Sequence, residues 1–283
     1  MKVKNIFPLS VFLIATLACG TLGVPTSEPI APPILTQPIP TIAPVFTAIP
    51  TFTPVTSTDI SPAPLLSQTV TMQTSPFEES GSAPVYTITA QIPSLQGSDD
   101  PRVSTFNARL RQIAQDQIDQ FRNDVLSFAS NPPISAGSFF DLQYSVIGQR
   151  GDVWSIKFDI SFYSDGAAHP AHYSTTLNYD LEAAREVALS ELFLPGSNYL
   201  EVISEYCKEQ LSIRDIAFDG FSQGADPLAE NFGRWNLSNA GLLITFDEYQ
   251  VAPYAAGPQV VVIPYPELQG IIASPGALDV FVQ

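Results

Sequence analysis

Cysteine, histidine and positive charge are all scarce in this chain. Two cysteines and two histidines in 283 residues exclude a disulfide-stapled miniprotein and leave too few ligands for a Cys/His zinc site. Twelve Lys and Arg stand against 28 Asp and Glu, a formal net charge of −16. That balance leaves no basic patch for nucleic acid. The sequence has no Gly-x-Ser-x-Gly elbow, no phosphate-binding glycine loop and no calcium-loop spacing of Asp, Asn and Gly. No cofactor and no metal is therefore expected. What is plentiful is apolar residues, 45% of the chain, enough for a packed core.

The first nineteen residues read as an export signal. Lys2 and Lys4 precede an uncharged, mostly apolar run from Ile6 to Ala18, too short to span a bilayer. Ala15-Thr16-Leu17-Ala18-Cys19-Gly20 is similar to a bacterial lipobox, with Leu17 one place late, and makes Cys19 the expected lipidation site. Ordinary cleavage giving a secreted protein is the alternative. The expected location is the cell membrane or outer envelope, extracytoplasmic and lipid-anchored.

Residues 20–84 read as a disordered Pro/Thr-rich linker. They hold 13 prolines, 12 threonines, four acids and no Lys or Arg. Closely spaced prolines remove backbone donors and fix φ, which opposes both helix and sheet. Residues 85–283 read as one α+β domain with an antiparallel sheet and helices packed on one face, an N-terminal part at 85–150 and a C-terminal part at 151–272. Alternating residues predict strands at Val85–Ile92, Phe140–Val146, Trp154–Tyr163 and Tyr173–Leu181. Asp99-Asp100-Pro101 predicts a helix start, and apolar residues from Val103 to Phe128 carry that helix to about 129. A second helix is expected over about Asn198 to Ile213, and two late strands near Leu242–Val251 and Val260–Tyr265 complete the sheet.

Reactive groups are few. His169 and His172 lie in His-Pro-Ala-His, where Pro170 disfavours helix and an extended chain turns residues three apart to opposite faces. The expected role of the loop imidazole is a backbone hydrogen bond that fixes the turn. Cys207 falls on the apolar stripe of its helix, and the flanking Glu205 and Glu209 are expected to raise its thiol pKa. Asp247-Glu248 is expected in a strand, its side chains facing opposite ways, and Asp99-Asp100 at a helix cap.

Several ordered blocks carry a family resemblance: Gly166-Ala167-Ala168-His169-Pro170, Asn178-Tyr179-Asp180-Leu181, Leu189-Ser190-Glu191-Leu192-Phe193, Asn231-Phe232, Gly241 through Gly257, and Ile263-Pro264-Tyr265-Pro266-Glu267-Leu268. Together they resemble the RsiV/PdaC-type extracellular domain, found in the anti-sigma factor RsiV and beside the catalytic domain of a peptidoglycan deacetylase. The resemblance covers about Val85 to Ile272. It implies a domain that in RsiV binds lysozyme. Neither a sigma-binding segment nor a deacetylase domain is read here, so those activities do not carry over. Glu182-Ala183-Ala184-Arg185 departs from the family's Gly-Lys turn. The resulting expectation is a lipid-anchored, non-catalytic envelope binding domain. Its partner is a cationic protein such as lysozyme, or a cell-wall component such as peptidoglycan, with contact at His169, Pro170, His172, Tyr254 and Gly257. An envelope hydrolase acting on wall glycans is the alternative.

Overall fold

The computed structural model describes residues 65–127 and 137–282. The expected export signal with Cys19, residues 20–64 of the expected linker, and Phe128 lie outside them. Six strands form the main sheet: β1 (Thr71–Ser82), β2 (Val85–Gln96), β3 (Ser138–Arg150), β4 (Val153–Tyr163), β5 (Ala171–Asp180) and β6 (Arg185–Glu186), in that spatial order. All neighbours are antiparallel except β2 and β3, which run parallel. Parallel neighbours need a crossover, and α1 (Pro101–Ser127) supplies it. The sheet is thus mixed within an α+β fold.

Two expectations are corrected. The linker does not reach residue 84. Residues 71–82 form β1, and the domain extends back to Leu65. Asp152 accepts hydrogen bonds from the backbone N–H groups of Leu66 and Ser67, at 3.1 and 2.8 Å. Glu79 binds Arg122 of α1 at 2.6 Å and accepts the Tyr86 hydroxyl at 2.8 Å. β1 escapes a pattern reading because it is an edge strand without a buried face, and an edge tolerates Pro76. The late strands, moreover, do not complete the first sheet. β8 (Leu242–Phe246) and β9 (Gln259–Ile263) join β7 (Trp235–Leu237) in a separate three-stranded sheet.

Helix α1 begins where the sequence places it. The Asp100 carboxylate accepts the Arg102 backbone N–H at 2.8 Å, and the Arg102 guanidinium holds the carboxyl down at about 2. Val103, Phe106, Leu110, Ile113, Ile118, Phe121 and Val125 face the sheet. There they meet Ile88, Phe140, Leu142, Trp154, Ile156, Phe158 and Tyr179 in the first core. Phe106 is fully buried, with its ring 4.7 Å from Tyr179 and 6.3 Å from Trp154. Asn107 pins the helix to β2 by accepting Leu95 N–H at 2.7 Å and donating to Leu95 C=O at 2.8 Å.

The second core lies between the small sheet and α2 (Tyr199–Ser212), whose Ile203, Cys207 and Leu211 meet Leu237, Leu242, Ile244, Val261 and Ile263. The two sheets join through a buried polar seam. Ser155 Oγ donates to Asn178 Oδ1 at 2.6 Å. It accepts from Asn236 Nδ2 at 2.9 Å and from Leu237 N–H at 2.8 Å. Asn178 Nδ2 donates to Trp235 C=O at 2.8 Å, and Asn236 Nδ2 also reaches Ile156 C=O at 3.1 Å. Gly148 sits at the bulge of β3 where β7 comes closest; a Cβ there would lie 2.3 Å from Leu237 O.

The divergent turn after β5 holds Ala184 at φ 52°, a left-handed conformation that costs an L-residue about 1 kcal/mol. Ala184→Gly is expected to raise stability by about 1 kcal/mol in urea unfolding. Asn178→Ala strands buried partners on both sheets and is expected to cost about 2–3 kcal/mol in the same assay.

Candidate functional site

Away from the seam, β5 has no strand partner beyond its pairing with β4 and the short β6. Its outward N–H groups at His172 and Ser174 are taken by side chains instead. Glu248 Oε2 accepts His172 N–H at 3.1 Å, and Asp247 Oδ1 accepts Ser174 N–H at 3.0 Å. The two consecutive acids thus stand in for a neighbouring strand on alternate residues of β5. They lie just past the end of β8, in a turn rather than within a strand, so both reach the same edge. That corrects the expectation of opposite facing. Tyr249 makes the turn possible by adopting φ 65°. Gln250 ties the turn down by donating to Gly224 C=O at 3.0 Å and Asn231 C=O at 2.9 Å.

Both carboxylates hold further partners. Glu248 Oε1 lies 2.7 Å from His172 Nδ1, and the Glu248 side chain is only 8% exposed. Asp247 Oδ2 lies 2.5 Å from Arg234 Nε, which also donates to Ser174 C=O at 2.7 Å. Burial pushes the Asp247 carboxyl above its ordinary range, against the opposing pull of Arg234 and the Ser174 hydrogen bonds.

These residues border a cleft of about 420 Å³ between the polar side of β4 and β5 and the loops that lead into β9. Lys157, Asp159 and Ser161 of β4 form one wall; His172, Ser174, Asp247 and Glu248 form the other; Gly257 and Pro258 close one side. Lys157 and Asp159 pair at 2.6 Å. Gly257 has φ 64° with extended ψ, a conformation almost confined to glycine, as the chain leaves the turn at Tyr254–Ala256 for β9.

An aromatic cluster stands beside this cleft. The His169 ring packs on Tyr254 with centroids 3.9 Å apart, and Tyr249 lies 5.8 Å from Tyr254. Tyr249 is 56% exposed and its hydroxyl is 3.4 Å from His169 Nε2. The Tyr254 hydroxyl donates to Pro170 C=O at 2.9 Å, and His169 Nδ1 is 2.8 Å from the same oxygen.

The five residues singled out from the sequence, His169, Pro170, His172, Tyr254 and Gly257, therefore converge. The two histidines take separate partners, His169 an aromatic ring and His172 a carboxylate. Among the described residues no group of three or more His, Cys, Asp or Glu side chains is placed to hold a metal ion. Asp247, Glu248, Arg234 and Tyr249 escaped the sequence reading as members of the site. Their available signal was position, two acids and a tyrosine directly after a strand. Cys207 lies apart, fully buried, its thiol pushed up to about 12 by burial. The flanking Glu205 and Glu209 are exposed and are not the cause expected of them.

The fold is that of an α+β domain, and the ordered sequence blocks resemble those of the RsiV/PdaC type. Residues 190–266 match the family described as "Protein of unknown function (DUF3298)". Over 169 residues, 59% of this chain, the sequence is 24% identical to the peptidoglycan-N-acetylmuramic acid deacetylase PdaC of Bacillus subtilis, and the match spans 36% of that protein. A crystal structure of a DUF3298 family member from Bacteroides fragilis superposes with a TM-score of 0.58 at 15% identity, covering 75% of this chain and 97% of that one. A DUF3298 family protein from Pseudomonas aeruginosa gives 0.52 at 17% identity, covering 75% and 96%. At these identities the two structures establish a shared fold.

A buried thiol with so high a pKa presents almost no thiolate at neutral pH. In full-length Cys19→Ser protein, Cys207 is expected to resist a thiol-reactive chromophore at pH 8 and to react fully once unfolded. Rapid native labelling would contradict its placement.

Proposed function

We propose that the protein is an extracytoplasmic envelope domain that binds a wall glycan in this cleft without turning it over. The observation that carries the reading is a concave cleft beside packed aromatic rings, in which every lining carboxylate already serves a partner. Asp159 holds Lys157, Asp247 holds Arg234 and Ser174, and Glu248 holds His172. Sugar rings pack their apolar C–H faces on aromatic side chains and satisfy their hydroxyls on polar groups at the edge of such a pocket. The likeness to PdaC supports an envelope setting, since that protein's name specifies peptidoglycan as what it acts on. Lipidation at Cys19 and a proline-rich spacer would hold the domain clear of the membrane. Among the described residues no helix is long and apolar enough to cross it.

A second reading rests on charge. From Leu65 onward, 26 acids face ten bases. Such a field attracts cationic proteins such as lysozyme and weakens as salt rises. The hydrolase alternative has one observation in its favour, the raised pKa of Asp247 at the cleft, a property of general acids. Against it stands that carboxylate's engagement with Arg234 and Ser174.

Co-sedimentation with insoluble peptidoglycan separates the three. Full-length protein is expected to pellet, to remain bound at about 0.5 M salt, and to release no soluble sugar or acetate. The Tyr249→Ala/Tyr254→Ala double variant is expected to lose about tenfold in affinity. Elution by salt, with capture of lysozyme on a column, would replace the glycan with a cationic protein. Product release abolished by Asp247→Asn would make the domain an enzyme.

A further inference from the structure

The cleft opens onto a part of the main sheet that the small sheet leaves uncovered. Side chains of a strand alternate between faces, so the residues sharing a face with Ser155 of the seam can be followed outward. In register across the strands, Thr89 of β2 pairs with Asp141 of β3, Asp141 with Ser161 of β4, and Ser161 with His172 of β5. One polar row thus runs from the far strands into the cleft. Beside it Gln143, Asp159 and Ser174 form a second row. Two residues along from Asp141 and Ser161, and on the same face, Phe139 and Tyr163 pair directly. Their rings stack with centroids 6.1 Å apart and an interplanar angle of 22°. Both are half-buried.

The two carboxylates of these rows both hold partners within the surface. Asp141 accepts from Thr89 Oγ1 at 2.6 Å and from Gln143 Nε2 at 3.1 Å, and Asp159 is held by Lys157. What remains to offer a ligand is hydroxyls, an amide and an aromatic platform. An anionic polymer would meet the domain's acid surplus, whereas a neutral one would not.

We propose that this open face is an additional subsite for an uncharged, N-acetylated glycan chain, with Phe139 and Tyr163 stacking one sugar while the cleft at His172 holds another. The inference rests on the glycan reading of the cleft and extends it from a single sugar to a polymer. Neighbouring strands lie about 4.8 Å apart and residues advance about 3.4 Å along a strand. The platform is therefore about 8–12 Å from His172, far enough for separate rings of one chain to occupy the two places.

Calorimetric titration of the full-length protein with the disaccharide and hexasaccharide of N-acetylglucosamine tests this. The hexasaccharide is expected to bind at least about tenfold more tightly, a gain of the size one stacked ring supplies. Tyr163→Ala is expected to remove that gain and leave disaccharide binding unchanged. Gln143→Ala, at an exposed position where folding is not at stake, is expected to weaken the hexasaccharide alone by about fivefold. Equal affinity for the two lengths, or equal loss on both in either variant, would overturn the subsite and leave the cleft reading standing. Retention on peptidoglycan with no binding of either oligosaccharide would overturn the ligand chemistry proposed here. Failure to pellet with peptidoglycan as well would remove the glycan reading itself.

Discussion

The Ser155 hydroxyl is the contact on which the two halves of the domain depend. It lies on the polar side of β4, fully buried, and is shared between Asn178 of its own sheet and Asn236 and Leu237 of the other. A hydroxyl can donate once and accept twice, and here it does all three. An apolar contact would let one sheet slide on the other; a hydrogen-bonded seam fixes a single register. Gly148 permits the approach, because any side chain there would collide with the backbone of β7. Around this point are two cores, one between α1 and the main sheet and one between the small sheet and α2.

The seam also explains why a cleft exists. The small sheet has three strands against six, and its contact with the main sheet centres on β7. Beyond that contact β4 and β5 continue with their polar faces uncovered, and the turn after β8 returns to the free edge of β5. Asp247 and Glu248 close that edge by accepting the N–H groups a further strand would have taken. Their burial is tolerable because each carboxylate is hydrogen-bonded and paired, with Arg234 or His172. The acids at the cleft thus have a structural duty, holding the free edge of β5.

Much of the fold was legible because its signals are local. The polar and apolar residues of β4 alternate over its whole length, and α1 carries a capped start and a continuous stripe. The three strands expected between Phe140 and Leu181 are present and pair antiparallel in sequence order. β1 was hidden, since an exposed edge strand containing proline looks like the linker before it. The late strands read as strands, yet their membership in a separate sheet lay in pairings between distant residues. The cause of the raised Cys207 pKa was misread for a similar reason. Neighbours in sequence were visible, whereas the packing of α2 against the small sheet was not.

Composition and periodicity alone determined the α+β class, the acidic character, the long helix, the central meander and the scarcity of reactive groups. They did so because propensity, capping and alternation act over a few residues. Only the tertiary structure decided that His169, Tyr249 and Tyr254 pack together, that Asp247 and Glu248 clamp β5, and that Phe139 and Tyr163 share a face with His172. Those relations join residues up to 85 positions apart, and they arise when packing brings the strands into register rather than from any preference carried by the residues themselves.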